Sequence, residues 1–292
     1  MKFLKTHCTA IICTIIGILL LLLQGPATRA MVKSQLKKQT NLKESYTIHT
    51  IWNLPKQLDE ISGLSWLTNY TFACVQDEDG IIFIYDTNQN KITNTYPFAH
   101  SGDYEGIAIV KNDAFVMRSD GLLYHIINYK SENRTVTEIQ TNFSSDNDIE
   151  SLGFDLDNNR LLTAPKEKDL GNDNYKSIYE ISLSNEKLET RPLVKIDLRN
   201  DKLKPFQHKN IHKTLNPSDI AIHPKTKDMY MLEGKRPKLL ILDQKGNLKK
   251  VYKLDEKQFP QPEGITFSHD GKLYISNEAV YDAATIMEIT FK

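Results

Sequence analysis

The sequence predicts an all-β chain folded as a single β-propeller, of five four-stranded blades with six as the alternative. Three observations carry that prediction. From Tyr46 onward the pattern is short alternating strands between turn signals, with no convincing helical stretch. A short motif then recurs at the start of a strand, at nearly even spacing. Finally, the two ends of this region are each too short for a blade and together make one.

The chain has 292 residues, with 37 basic and 37 acidic side chains. That balance argues against a nucleic-acid binder, which carries a basic excess. At 40% hydrophobic and 25% charged residues, the composition is that of an ordinary globular protein. The first thirty residues stand apart. Lys2, Lys5 and His7 precede an uncharged run from Cys8 to Leu23, which Gln24-Gly25-Pro26 breaks and Thr28-Arg29-Ala30 follows as a small-x-small cleavage site. The run has sixteen residues, short against the about 20 of a spanning helix. Residues 1–30 therefore read as a signal peptide, with an uncleaved N-terminal membrane anchor over residues 8–23 as the alternative. Either places the chain outside the cytoplasm, in the periplasm or cell envelope, with membrane contact only through that segment. No Leu-x-small-Cys ends the run, so a lipoprotein is not expected. Without residues 1–30 the chain keeps 34 basic and 37 acidic residues. Residues 31–45 are polar and lysine-rich and read as a linker, and residues 46–292 as the propeller.

The motif copies are Ile61-Ser62-Gly63-Leu64, Tyr104-Glu105-Gly106-Ile107, Ile149-Glu150-Ser151-Leu152, Pro217-Ser218-Asp219-Ile220 and Pro262-Glu263-Gly264-Ile265. Their third positions are separated by 43, 45, 68 and 45 residues. A turn and second strand follow, as in Asp157–Leu162, Lys225–Tyr230 and His269–Tyr274. Third and fourth strands come next, such as Ile81–Tyr85 with Lys91–Tyr96, and Lys238–Leu242 with Lys249–Leu254. Four short strands per repeat of this length is the pattern of a propeller blade. The long spacing is absorbed by two insertions, Glu167–Tyr175 and Arg199–Asn216. Gly264 to Lys292 supplies only 29 residues, and residues 46–62 supply 17, together one period. The strand Tyr46–Leu54 should complete the last blade and close the ring, which removes the exposed edges of an open sheet.

In a propeller the first strand lines the central channel and the second returns beside it. Residues before strand one and after strand two therefore share a face. The entry position reads Ser62, Glu105, Glu150, Ser218 and Glu263 around the ring. Three residues before each third position stand Glu60, Asp103, Asp148, Asn216 and Gln261. After strand two come Asp77-Glu78-Asp79, Ser119-Asp120, Lys166-Glu167, Glu233 and Asn277-Glu278. One channel mouth is thus rich in acidic oxygens. Crowded carboxylates repel unless a cation neutralises them, and hard oxygen donors without thiolates favour calcium, which takes about six to eight oxygens. The expected ligands are Glu105, Glu150 and Glu263, with Glu60 and Asp103 nearby. The competing reading makes these residues turn formers bonded to local backbone, but glutamate forms turns poorly and returns in three of five registers.

Other motifs read as structure. His208 and His212 share a lysine-rich segment without a suitably placed carboxylate and are expected on a surface loop. Cys74 sits in an apolar strand and is expected as a buried small hydrophobe. Asp155–Asn159 looks faintly like a calcium loop but lacks its Gly and terminal Glu, and fits the repeated turn. No Gly-x-Ser-x-Gly, phosphate-cradling Gly-rich loop or Ser/His/Asp arrangement at usable spacing is present.

The ordered set of motifs, with Glu60 and Asp103 before the first two, Asp148 before the third and Phe259-Pro260-Gln261 before the last, resembles the SdiA-regulated (YjiK/CarP-like) family over about Tyr46 to Lys292. The resemblance implies an envelope-located β-propeller linked to calcium, behind an N-terminal signal or anchor, without a settled reaction. The family is also similar to propeller phytases and lactonase-like propellers, which use calcium in or near the channel mouth. Here Ser62 and Ser218-Asp219 stand where other blades offer Glu and Gly, so a fully acidic ring is absent. A basic cluster suited to a polyphosphate is also lacking, although Lys166, Lys168, Lys235 and Arg236 are close. The functional expectation is a calcium-binding module that binds or senses an unidentified small molecule or protein at the mouth. The alternatives are a calcium-dependent esterase, lactonase or phytase-like hydrolase, and a protein-interaction scaffold.

Overall fold

Strand identity follows from composition. The runs IIFIYD, KLLIL and LYISN are mostly apolar, which suits strands covered on both faces, and their residues are almost all buried. The polar TVTEIQ is largely exposed and sits at a blade's outer edge. A computed structural model describes residues 45–292 apart from 186 and 190, so the expected signal or anchor segment lies outside the described residues.

Five antiparallel sheets form the blades. Blade 1 contains β2 (Ile61–Thr68), β3 (Thr71–Gln76), β4 (Ile81–Asp86) and β5 (Lys91–Pro97). Blade 2 contains β6 (Tyr104–Val110), β7 (Asp113–Arg118), β8 (Leu122–Ile127) and β9 (Thr135–Gln140). In blade 3, β10 (Gly153–Asp155), β11 (Arg160–Thr163) and β12 (Tyr175–Ser182) are followed by an outer strand in two pieces, β13 (Lys187–Leu188) and β14 (Val194–Asp197). Both pieces pair with β12. Blade 4 contains β15 (Asp219–Ile222), β16 (Met229–Glu233), β17 (Lys238–Leu242) and β18 (Leu248–Lys253). Blade 5 contains β19 (Pro262–Phe267), β20 (Leu273–Asn277) and β21 (Thr285–Phe291), and β1 (Tyr46–Asn53) supplies its fourth strand. The ring closes as the chain-end arithmetic requires.

Contacts between inner strands run β2 to β6 to β10 to β15 to β19 and back to β2. Apolar clusters fill four of the interfaces between blades. Tyr274 and Ile286 of blade 5 pack with Phe72 and Tyr85 of blade 1, and Val75 and Ile82 pack with Tyr104 and Val116 of blade 2. Met117 and Leu123 meet Leu161 and Tyr179 of blade 3, and Ile178 and Leu203 meet Met231 and Leu240 of blade 4. Each fully buried aliphatic or aromatic side chain contributes about 1.5–3 kcal/mol.

The neck of the ring is tighter still. A Cβ on Gly63 would stand 3.1 Å from the Gly106 Cα, and one on Gly106 would stand 2.8 Å from the Leu152 Cβ. One on Gly264 would stand 2.7 Å from the Leu64 Cβ. Blade 4 carries Asp219 at this register and uses its carboxylate instead. Oδ1 accepts from the backbone N–H of Ile220 (2.8 Å) and of Leu152 in blade 3 (3.3 Å), and Oδ2 accepts from Ile265 of blade 5 (2.7 Å). Burial raises the Asp219 carboxyl well above its ordinary range although three N–H donors oppose the shift.

The close approach predicts the effect of one added side chain. Gly106→Val should lower unfolding stability by about 1–3 kcal/mol, read as a lower urea midpoint at unchanged slope, whereas an exposed substitution at Thr137 should leave it unchanged.

Candidate functional site

The mouth is built by a repeated irregularity in the inner strands. In blade 1 the pairing steps from Ile61–Gln76 to Gly63–Val75, in blade 2 from Tyr104–Arg118 to Gly106–Met117, and in blade 5 from Pro262–Asn277 to Gly264–Ser276. Ser62, Glu105 and Glu263 are thus the extra residues of β-bulges, which free a side chain from ladder alternation and re-aim it. Blade 3 has the same surplus: between the Ile149–Pro165 bridge and the Gly153–Leu162 pair, the strand carrying Glu150 is one residue longer than its partner.

The entry residues divide by chemistry. Ser62 donates to the Tyr104 carbonyl of the next blade at 2.5 Å, and Ser218 donates to the Pro262 carbonyl at 2.8 Å. These two hydroxyls latch neighbouring blades. The glutamates face other charges. Burial, then Asp103 and Glu263, push the Glu105 carboxyl up to about 10, and it also shares a hydrogen bond with the Asp103 carboxylate. Burial raises Glu263 to about 7 against the pull of Lys166 and of a bond from Gln261. A Cβ on Gly234 would lie 2.5 Å from Glu263 Oε1, so the bare backbone of blade 4 leaves room for that carboxyl.

Two further acids join them. Burial, Glu263, Asp77 and Glu60 raise Glu278 to about 8, while burial, Glu60, Asp103 and Glu78 raise Asp77 to about 6. The acids of blades 5, 1 and 2 therefore form one mutually repelling set. Of the expected ligands, Asp103 and Glu263 both act directly on Glu105. Glu60 is exposed and acts on Asp77 and Glu278, and Asp103 also accepts a hydrogen bond from the Ser119 hydroxyl.

Glu150 belongs to another environment. It is buried, its Oε1 forms an ion pair with Lys166, and its Oε2 is buried without a hydrogen-bond partner. The Lys166 ammonium is also 3.9 Å from Asp148, whose backbone takes the left-handed conformation (φ 52°). Behind Lys166 lies a buried ionic network. Lys176, 1% exposed, donates to the carbonyls of Lys166 (2.8 Å) and Glu167 (2.7 Å). Glu233 is fully buried between Lys238 and Arg236 and accepts from the Asn216 N–H. Desolvation lowers Lys176 and Lys238 to about 8. The insertion carrying Asn216 is tied to the mouth by a 2.8 Å bond from Asn216 Nδ2 to the Lys166 carbonyl.

The sequence-level list of ligands omits Glu278 and Asp77, although both fall after strand two on the same face. Their signal is that position combined with ring order, which brings Glu278 of blade 5 against blade 1. The remaining motifs behave as structure. Cys74 is buried and burial pushes its thiol up. His208 lies in a loop and His212 in a short 3-10 helix. The Asp155 carboxylate accepts from Arg160 (2.9 Å) and Asn158 (2.7 Å) within its turn.

The mouth donors suit a hard cation in kind: carboxylates, with a buried Glu150 oxygen and a buried Asp77 oxygen lacking partners. Among the described residues no three His, Cys, Asp or Glu side chains are already gathered as a cage. Ligation would thus require the crowded carboxylates to draw inward. No helix among the described residues is long and apolar enough to cross a membrane.

A sequence-family model described as SdiA-regulated matches residues 38–281. No curated protein matches the chain. Among solved structures, the glutaminyl cyclase of Myxococcus xanthus is similar at 10% identity and TM-score 0.59, over 85% of this chain and 96% of that one. A luciferin-regenerating enzyme is similar at 10% identity and TM-score 0.50, over 82% and 95%. A protein of unknown function from Bacteroides thetaiotaomicron gives 14% identity and TM-score 0.50, over 80% and 58%. At these identities the likeness is one of fold.

The mouth electrostatics set a pH dependence. Asp77, Glu263, Glu278 and Glu105 hold protons in the folded chain that the unfolded chain releases near about pH 4. Their contribution is therefore full at low pH and is lost as pH rises through the folded values. The lowered lysines act oppositely, but only above about pH 8. In chelator, Tm should fall by several degrees between about pH 5 and pH 8, and Glu278→Gln should flatten that slope.

Proposed function

We propose that this chain, which belongs to the SdiA-regulated family, is a cell-envelope β-propeller whose acidic channel mouth binds calcium and serves as a binding or sensing module. One observation carries the reading: Glu105 and Glu263 sit on bulges of different blades and repel each other, with Asp103, Asp77 and Glu278 around them. Crowded carboxylates, one of them buried (Glu263) and three half-buried (Glu105, Asp77 and Glu278), are costly unless a cation compensates them. Glu105 and Glu263 would hold the ion and Asp103 and Glu60 would support it from the rim, while Glu150, named with them from the sequence, is engaged by Lys166. Calcium would supply a fixed positive charge that a ligand oxygen can join. The envelope location rests on the apolar segment 8–23 and its flanks.

A hydrolase reading has one observation in its favour. Burial brings Glu263 to about 7 and Glu278 to about 8, values suited to proton transfer near neutrality. Turnover of generic esters, lactones or phytate only with calcium, abolished in a folded Glu105→Gln variant, would favour the enzyme over the binding module.

The direct test is thermal unfolding of the exported part in chelator and in millimolar calcium. Calcium should raise Tm by several degrees through ligand linkage, and Glu105→Gln should remove most of that rise. No shift at millimolar calcium would overturn the proposal.

A further inference from the structure

Resting on the calcium reading, one residue of the mouth acquires a role of its own. Glu150 occupies the entry register that Glu105 and Glu263 occupy in their blades, yet it is already matched with a cation, the ammonium of Lys166. Lys166 is not a casually placed surface lysine. Its backbone N–H donates to the Asp148 carbonyl at 2.8 Å. Its own carbonyl accepts from the buried Lys176 ammonium and from Asn216, both at 2.8 Å. The root of the side chain is therefore clamped from blades 3 and 4, while the ammonium reaches Glu150 and lies 3.9 Å from Asp148. The same ammonium is a favourable charge for Glu105, Glu263, Asp148 and Glu278.

We propose that Lys166 is a tethered cation standing in for a second metal ion, so that it restricts the mouth to one calcium and sets how tightly that calcium is held. One observation beside the acidic cluster points to a cation there: Glu150 Oε2 is buried and has no hydrogen-bond partner. Removing the ammonium would leave Glu150 and Asp148 as uncompensated carboxylates beside Glu263, a set that attracts a divalent ion.

Isothermal titration with calcium and native mass spectrometry test this on the exported part. Wild type should bind one ion. Lys166→Gln should bind a second ion, or the first at least tenfold more tightly, while Lys166→Arg should behave as wild type. Should Lys166→Gln unfold, Lys166→Met, which keeps an apolar stem of similar length without the charge, should show the same change. If wild type binds one ion and these variants match it in number and affinity, the role of Lys166 is overturned and the calcium reading stands. If wild type binds none but Lys166→Gln binds, the calcium reading of the native mouth falls and the role of Lys166 is supported. If no form binds calcium, both are overturned.

Discussion

The structure depends on how closely the inner strands approach one another at the neck of the ring. With Gly63, Gly106 and Gly264 at equivalent registers, backbone meets backbone or Cβ at distances that exclude a side chain. The fourth blade has Asp219 there and achieves its union by hydrogen bonds to blades 3 and 5. Steric contact joins most of the ring, and one buried carboxylate joins the rest. Interior packing transmits such contacts rigidly, so the residues just above the neck have fixed places relative to each other.

Above the neck the mouth is electrically uneven. Blades 5, 1 and 2 present carboxyls that raise each other's proton affinity. Blades 3 and 4 bring Lys166, Lys176, Lys238 and Arg236, each bonded to a carbonyl or carboxylate of the same region. Net charge near zero conceals this division. On the proposed calcium reading, the ion would belong with the acids of blades 5, 1 and 2 and not with the internally paired charges of blades 3 and 4.

Much of the fold was legible in the sequence because a propeller is local. Each blade uses nearly consecutive strands, so the Glu-Gly-Ile motifs and the turn that follows them report the architecture directly. The one distant pairing, β1 with β21, was legible from the incomplete blade at the chain's end. Blade 3 was harder, since its short inner strand and its divided outer strand depart from the alternation. The sequence placed Glu105, Glu150 and Glu263 at one register, which the bulges share, but their grouping was not legible. Whether a carboxylate meets another acid or a lysine depends on bulge geometry and on the neighbouring blade. Glu278 and Asp77 join the acids through ring order, and Lys166 claims Glu150 through a side-chain direction that no spacing encodes. Asp219 read only as a departure from the motif, although its position at the glycine register held the clue.

The bulges carry one more implication. A bulge residue has no opposite partner in its ladder, so its identity is released from the two-residue rhythm that governs the rest of the strand. Ser62, Glu105 and Glu263 all occupy this released position, and buried apolar residues flank it whether it carries a hydroxyl or a carboxylate. Framework and mouth can thus diverge at different rates. A propeller of this kind can acquire or lose a ligand by single substitutions at its bulges, while the ring that displays them stays unchanged.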